Sequence, residues 1–471
     1  MTKKTKSLNI LLLTMINIAT VLSIRNWPLT AEFGFTAIFY IIAAAVLFLL
    51  PVSFVAAELA TGWPKKGGIF VWVKEAMGHR WGFLAVWLLW VENVIYYPLL
   101  LSFVAGTLAT LIMPSLADNA FFTFTTIIVS FWIFTLLNLR GMKLSGWIST
   151  VGVVIGTLIP GIVIIALGTI WFFSSNPIQV DTGWSNILPK GPILDELIFI
   201  TGIIFAFCGM EMPAVHANDV ENPQKNFPRS IFISATVIVV LSILGSLSIA
   251  FIIPHNEISL TAGAMATIYR VLTSYNLSFL IPVIAIMIML GALGTLSTWI
   301  VGPCRGLLAA AENGDFPPIF HKENKFGMPI VMMIGQAIIV TFLALAFFIF
   351  PTVGTSFLAL VAMASQLYLL MYMLMFVSAI VLRYKKPNVQ RAYRIPGKNI
   401  GMWVVAGIGL ITSITVFAIG FIPPPELDPS KIVYYEIFLL LGMVVFCLIP
   451  FLILKFKKPS WALNKSTIKN S

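Results

Sequence analysis

Residues 16–28 read Ile16-Asn17-Ile18-Ala19-Thr20-Val21-Leu22-Ser23-Ile24-Arg25-Asn26-Trp27-Pro28, and they decide how the chain is built. They lie in a largely apolar run, roughly residues 8–30, long enough to cross a bilayer as one helix. Hydrocarbon offers no water to the backbone, so an unbroken helix is the default there. Here small and polar residues occupy the middle, and Pro28 lacks the N–H that would extend an ordinary helix. The run reads as a spanning helix that breaks. A second stretch does the same: Ile204-Phe205-Ala206-Phe207-Cys208-Gly209-Met210-Glu211-Met212-Pro213 sets Gly, Glu and Pro within five residues of one another.

The rest of the chain supports the membrane reading. Apolar residues make up 59% and charged residues only 10%, against about 25% charged in soluble domains. Hydropathy gives twelve spans, near 8–30, 34–60, 81–112, 120–139, 145–173, 193–216, 230–254, 276–308, 329–350, 356–382, 400–421 and 432–455. The two interrupted runs are spans one and six, five apart, as an inverted repeat of five plus five helices predicts. The basic start Met1–Lys6 leads into a span of full length, so it reads as a retained first helix and not as a cleaved signal.

The net charge of +11 is not spread as a nucleic-acid surface would be. With the N-terminus inside, 25 of the 29 Lys and Arg face the cytoplasm. This asymmetry predicts a multi-pass protein of the plasma (inner) membrane with both termini cytoplasmic. No soluble domain is expected, and the tail after Phe456 is short and basic. Cys208, Cys304 and Cys447 show no CxxC spacing, so neither a disulfide framework nor a metal site is expected, and no cofactor is implied.

Charge within a span is expensive and usually functional. Glu211 lies at the sixth-span break, where it serves either proton coupling or as a cap for the broken half-helix. Glu92 stands in span three with Asn93 beside it and Tyr96 one turn on. It faces a substrate ammonium, carries a proton, or is a polar partner buried between helices. Arg25 is expected to snorkel outward or to pair with Glu32. Trp299, within Gly294-Thr295-Leu296-Ser297-Thr298-Trp299, reads on its own as a packed indole. The histidines His79, His216, His255 and His321 are scattered, and His216 with Asp219 is their one near pair along the chain.

Several motifs resemble those of one superfamily. Pro51-Val52-Ser53-Phe54-Val55-Ala56-Ala57-Glu58-Leu59-Ala60 with Gly67-Gly68-Ile69-Phe70-Val71-Trp72-Val73 is similar to the second span and first loop of amino acid–polyamine–organocation (APC) transporters. More narrowly it resembles the glutamate/GABA antiporter family. Glu211 to Asn222-Pro223, Gly245-Ser246-Leu247-Ser248-Ile249-Ala250 before Pro254, and Ser297-Thr298-Trp299-Ile300-Val301-Gly302-Pro303-Cys304-Arg305-Gly306 are similar too.

The resemblance implies a LeuT-like, all-α membrane fold. Residues 8–173 and 193–382 would form two inverted repeats with helices 1 and 6 discontinuous. Residues 400–455 would form two peripheral helices, and 456–471 a cytoplasmic tail. Substrate would lie between the breaks, against Ala19, Thr20, Val21, Leu22 and Ser23 on one side and Phe205, Ala206, Phe207, Cys208 and Gly209 on the other. Trp299 would line the chamber, with Glu92 beside it. Two departures matter. The glutamate/GABA exchangers carry a longer C-terminal plug, so gating by such a plug is not expected here. A carboxylate at Glu92 suits neutral or cationic cargo better than acidic cargo.

Together these residues read as an amino-acid carrier, an antiporter or permease, taking an amino acid or a decarboxylated amine. A proton-coupled symporter is the near alternative. An integral membrane enzyme would need a convergent catalytic constellation, and a channel would need a ring of pore-lining polar groups; neither is visible. A non-transporting sensor stays open, as does oligomeric state, because lipid-facing and partner-facing apolar surface look alike.

Overall fold

The computed structural model describes residues 9–64, 67–141, 147–148, 151–152, 154–190, 193–212, 220–350, 352–423, 427 and 429–461. Among the described residues the regular structure is helical, with isolated bridges such as Glu323 to Pro329 and no strand.

Among the described residues, ten helices are long and apolar enough to cross a membrane. The remaining two predicted spans, one and six, are present as shorter pieces. Span one is α1 (Ile10–Val21), a 3₁₀ turn at Ile24–Asn26, and α2 (Trp27–Ala31). Then come α3 (Gly34–Gly62), the short α4 (Ile69–Met77), α5 (His79–Ile112), α6 (Ala120–Asn138) and α7 (Val154–Phe173). Span six is α8 (Ile193–Ala206) followed by turns over 207–212, and the end of the predicted span, 213–216, lies outside the described residues. The chain goes on as α9 (Pro223–Ile252), α10 (Gly263–Ser274), α11 (Ile281–Glu312), α12 (Ile330–Leu343), α13 (Val353–Lys385), α14 (Lys398–Ile419) and α15 (Ile432–Lys455).

Most predicted ends fall close to these bounds. The seventh span differs: its helix begins at Pro223, several residues before the predicted start at residue 230. The first turns carry Lys225 and Arg229, and hydropathy cannot see a helix that continues into a polar layer.

Proline explains the irregular turns. Pro51 and Pro160 each follow a wide π-turn, at Ala45–Leu49 and Val154–Leu158. A proline ring removes one ladder N–H and crowds the carbonyl four residues back, and a π-turn relieves both.

The helices are not equivalent. The most apolar window is 72% buried in α5 and 78% in α13, but 28% in α14 and 17% in α15, so α5 and α13 form the centre. The last helix turns Ile437, Leu440, Leu441 and Val444 outward, which only lipid or a partner can cover. Where α7 crosses α11, Gly156 lies on Gly291 and Gly152 on Gly294. A Cβ at Gly156 would overlap the Gly291 backbone. Backbones meet there directly, as small residues allow between membrane helices.

Glu58, in the motif that first suggested the family, has a structural position. Its carboxylate takes Arg383 Nη2 at 2.6 Å and Arg391 Nε at 3.3 Å, and accepts the Ile395 N–H at 2.8 Å. Thr61, one turn on, bonds both the N–H and the carbonyl of Tyr393. The segment after α13 is thereby strapped to the end of α3. Removing one partner from such a buried pair costs about 3–5 kcal/mol. Glu58→Gln is therefore expected to lower the heating midpoint of the solubilised protein sharply. Replacing Glu58 and Arg383 together by Met should cost less than the sum of the two single changes.

Candidate functional site

The first interruption falls at Leu22–Ser23. Leu22 donates the last α-helical bond, to the Ile18 carbonyl at 2.8 Å. Ser23 is then fully extended at φ −142°, ψ 126°. Pro28 enforces the restart, because it cannot donate back to residue 24 and instead sits in the first turn of α2. Ala19, Thr20 and Val21 are thus still helical, and only Leu22 and Ser23 of the predicted window lie in the break itself. Asn17 anchors α1 to α9 through the Ser234 hydroxyl at 3.2 Å.

The second interruption follows α8. Phe207 and Cys208 close tight turns onto the Ile204 and Phe205 carbonyls, and Gly209 then takes φ +115°, a conformation that disfavours any residue with a Cβ. The space beside it is close but not closed: a Cβ there would lie 3.3 Å from Thr20 Cγ2 and 3.9 Å from the Trp299 ring, so the positive φ is what calls for glycine. Gly209 is therefore where α1, the sixth-span turn and α11 meet.

A hydrogen-bonded relay holds that turn. The Gly209 N–H donates to the Tyr372 hydroxyl at 2.9 Å, and Tyr372 donates to Glu211 Oε2 at 2.5 Å. Tyr368, one turn earlier on α13, donates to Glu211 Oε1 at 2.5 Å. Both Glu211 oxygens accept a phenol proton, so this buried carboxylate ties the broken helix to α13.

The α5 and α11 residues complete the surroundings. Tyr97 donates to the Trp299 carbonyl at 2.7 Å. The Tyr96 ring is 6.3 Å from Trp299 and 6.2 Å from Phe205, centroid to centroid. Glu92 is buried, accepts from Asn93 Nδ2 at 2.8 Å, and lies within electrostatic reach of Glu211 and Arg25. A cavity of about 10 Å³ lies between the breaks, lined by Val21, Ser23, Ala206 and Phe207 among others. That is room for roughly one water molecule. Beyond α2 a wider cavity of about 440 Å³ is lined by Glu32, Asp181, Lys190 and His255.

The predicted residues thus fall into groups. Thr20 and Trp299 border the side of Gly209 where a Cβ would stand; Phe205 joins Trp299 through Tyr96; Val21, Ser23, Ala206 and Phe207 share the small cavity. Cys208 and Leu22 are buried beside the turns. Two expectations need correction. Arg25 neither snorkels nor pairs with Glu32: it is 3% exposed, while Glu32 meets His255 Nδ1 at 2.8 Å. Histidine pairs also arise in space, since His79 Nε2 is 2.6 Å from Asp315. The pair of His216 and Asp219 lies outside the described residues.

Tyr368 and Tyr372 were not singled out from the sequence. Their signal was available, as two hydroxyl-bearing rings four residues apart on one face of an apolar span.

Apolar helices that would span a bilayer, two of them interrupted and joined at a buried polar junction, define a multi-pass membrane protein. A family model described as amino acid permease matches residues 6–449. An uncharacterized transporter of Legionella pneumophila is 42% identical over 96% of this chain and 97% of the relative. A glutamate/gamma-aminobutyrate antiporter of Lactococcus lactis is 32% identical over 92% of this chain and 87% of the relative. A probable agmatine/putrescine antiporter of the same species is 27% identical over 91% and 90%. The chain belongs to the amino acid permease family, as its motifs suggested, and it is a membrane transporter and not an enzyme.

Tyr372→Phe removes both the acceptor for Gly209 and a donor to Glu211. Transport by this variant is expected to fall about tenfold or more, as loss of a buried bond and its orphaned partner implies. Its elution on size exclusion should match the wild type. Wild-type rates in this variant would show that the relay does not position the turn.

Proposed function

We propose that this chain is a secondary amino-acid exchanger working by alternating access, with cargo held between the interruptions of spans one and six. The observation that carries the proposal is that Thr20, just before the first break, and Trp299 border the side of Gly209, in the second break, where a Cβ would stand. Unwound backbone is tolerated in a membrane where it is buried in protein or lines a cavity, and carriers use such breaks to hold charged solutes. The α-carboxylate would meet backbone N–H groups at the first break, after Leu22. The α-ammonium would meet the exposed carbonyls, with Glu92 close by. Trp299, Phe205 and Tyr96 would hold the side chain.

The present cavity between the breaks is too small for an amino acid, so loading requires its walls to move. The 440 Å³ cavity beyond α2 is the natural approach from one face. We assign twelve spans, counting α1–α2 and α8 with its continuation as the two interrupted ones. They would be arranged as inverted repeats over 8–173 and 193–382, with 400–455 peripheral. The skewed Lys and Arg distribution supports cytoplasmic termini in a plasma membrane. Exchange is favoured over proton symport because two of the relatives are named antiporters. The cargo is an amino acid or a decarboxylated amine.

Liposomes preloaded with one amino acid and offered a labelled one test this directly. Uptake should require internal substrate. Uptake from empty vesicles driven by a pH gradient would replace exchange with symport, and no uptake across a broad amino-acid and amine panel would remove the carrier reading. In the same assay Trp299→Ala should raise KM or lower turnover while leaving the folded yield intact. Glu92→Gln should alter the balance between neutral, acidic and basic cargo or its pH profile. An unchanged balance and profile would make Glu92 a packing residue.

A further inference from the structure

The cavity of about 440 Å³ beyond α2 is walled by a long loop that is pinned in place. The link from α7 to α8 runs through residues 174–190 with a 3₁₀ turn at Trp184–Asn186. Links longer than about 12–15 residues with little structure of their own usually carry function when they are ordered. This one is fixed at two points. The Gln179 N–H donates to the Phe251 carbonyl at 3.1 Å, and the Thr36 hydroxyl donates to the Asn186 carbonyl at 2.9 Å. Gly34, at φ +52°, lets the loop close onto the link between α2 and α3, where a Cβ would lie 3.1 Å from Val180 Cγ1. On the same cavity Glu32, the residue directly after α2, meets His255 Nδ1 at 2.8 Å.

The lining carries charge of both signs: Glu32 and Asp181 are acids, Lys190 is a cation, and His255 is a second base. Asp181 Oδ1 accepts the Gly183 N–H at 3.0 Å. Lys190 Nζ donates to Asn186 Oδ1 at 2.5 Å and to the Ser185 hydroxyl at 3.1 Å. Both charges thus rest on neutral partners, although Lys190 lies within electrostatic reach of Asp181. The Gly183 N–H, with the Asn186 amide, holds the Asp181 carboxyl below the usual carboxylate range, so it stays ionised at neutral pH. A fixed anion and a fixed cation on one cavity suit a solute that carries both signs itself. The volume lies within the range of small-molecule sites, about 300–1,000 Å³.

We propose that this cavity is a second binding site, remote from the two breaks, that takes a free amino acid as its zwitterion. The ammonium would be met by Asp181 and Glu32, and the carboxylate by Lys190. The site goes beyond the exchanger reading and rests on it only in taking the solute to be an amino acid. Because Glu32 directly follows α2, an occupant here bears on the outer half of the interrupted first span. A solute that lacks either charge leaves one side of the site without its partner and binds less well.

Leu188, 59% exposed on the cavity wall, provides a reporter. Full-length Leu188→Cys protein in liposomes is labelled with a membrane-impermeant maleimide, with the parent protein as blank. The added solutes are alanine, ethylamine, which lacks its carboxylate, and propionate, which lacks its ammonium. Alanine should slow labelling saturably, with a half-effect concentration about tenfold or more below those of the other two. Lys190→Gln in the same background should bring alanine to the level of ethylamine, and Asp181→Asn should also raise its half-effect concentration. Trp299→Ala, which alters the junction between the breaks, should leave the protection unchanged. Labelling indifferent to alanine, equal protection by all three solutes, or protection lost with Trp299→Ala would overturn the second site. Should the loop variants fail to fold, the three-solute comparison on Leu188→Cys alone decides. Exchange without protection removes this site and leaves the exchanger; protection without exchange of any amino acid removes the exchanger and leaves the site.

Discussion

A helix that stops inside a membrane exposes backbone groups that no water can satisfy, and the structure depends on how that debt is met at Gly209. The Tyr372 hydroxyl accepts from the Gly209 N–H and donates its own hydrogen bond to Glu211, whose other oxygen accepts from Tyr368. One buried carboxylate and two phenols thus replace the missing turn of helix and bind it to α13, the most enclosed of the ten long apolar helices among the described residues. With that turn fixed, Gly209 can sit against Thr20 and Trp299, and the two interruptions face each other. Without it, the sixth-span turn has no reason to stop where it does.

The same logic separates structure-bearing charge from site-bearing charge. Glu58, Arg383 and Arg391 form a closed set in which the acid serves two cations and a backbone N–H, and this set straps the segment after α13 to α3. Glu211 is closed in the same sense. Glu92 and Arg25 are not: each has a single neutral side-chain hydrogen-bond partner, and they lie within reach of one another across the junction. Open charge in a low-dielectric interior is where a zwitterionic cargo gains most.

Much of this was legible in the sequence, and for identifiable reasons. Hydropathy located the spans because lipid demands long apolar helices, and Pro28 and Gly209 marked the interruptions because neither residue suits a regular helix at those points. What a one-dimensional reading misjudged was direction. Arg25 lies seven residues before Glu32, which suggests a pair, but the break at Ser23 turns Arg25 inward onto Tyr96 and leaves Glu32 to His255, more than two hundred residues later. Tyr368 and Tyr372 were overlooked because tyrosine within an apolar span reads as bulk, and only the packing of α13 against the sixth-span turn shows which hydroxyls matter. The early start of α9 escaped because Lys225 and Arg229 ended the apolar count before the helix ended.

The central claim is that cargo binds between the two breaks, and Cys208 offers a native reporter there. It lies beside Gly209, buried, with its thiol 3.5 Å from the Ile204 carbonyl. With Cys304 replaced by Ser and Cys447 by Ala, the rate of modification of Cys208 by a membrane-permeant maleimide reads the junction alone. The account predicts that a transported amino acid changes this rate saturably, at concentrations that track its KM, and that a non-transported one does not. A labelling rate indifferent to every transported amino acid would place the cargo elsewhere and contradict the account.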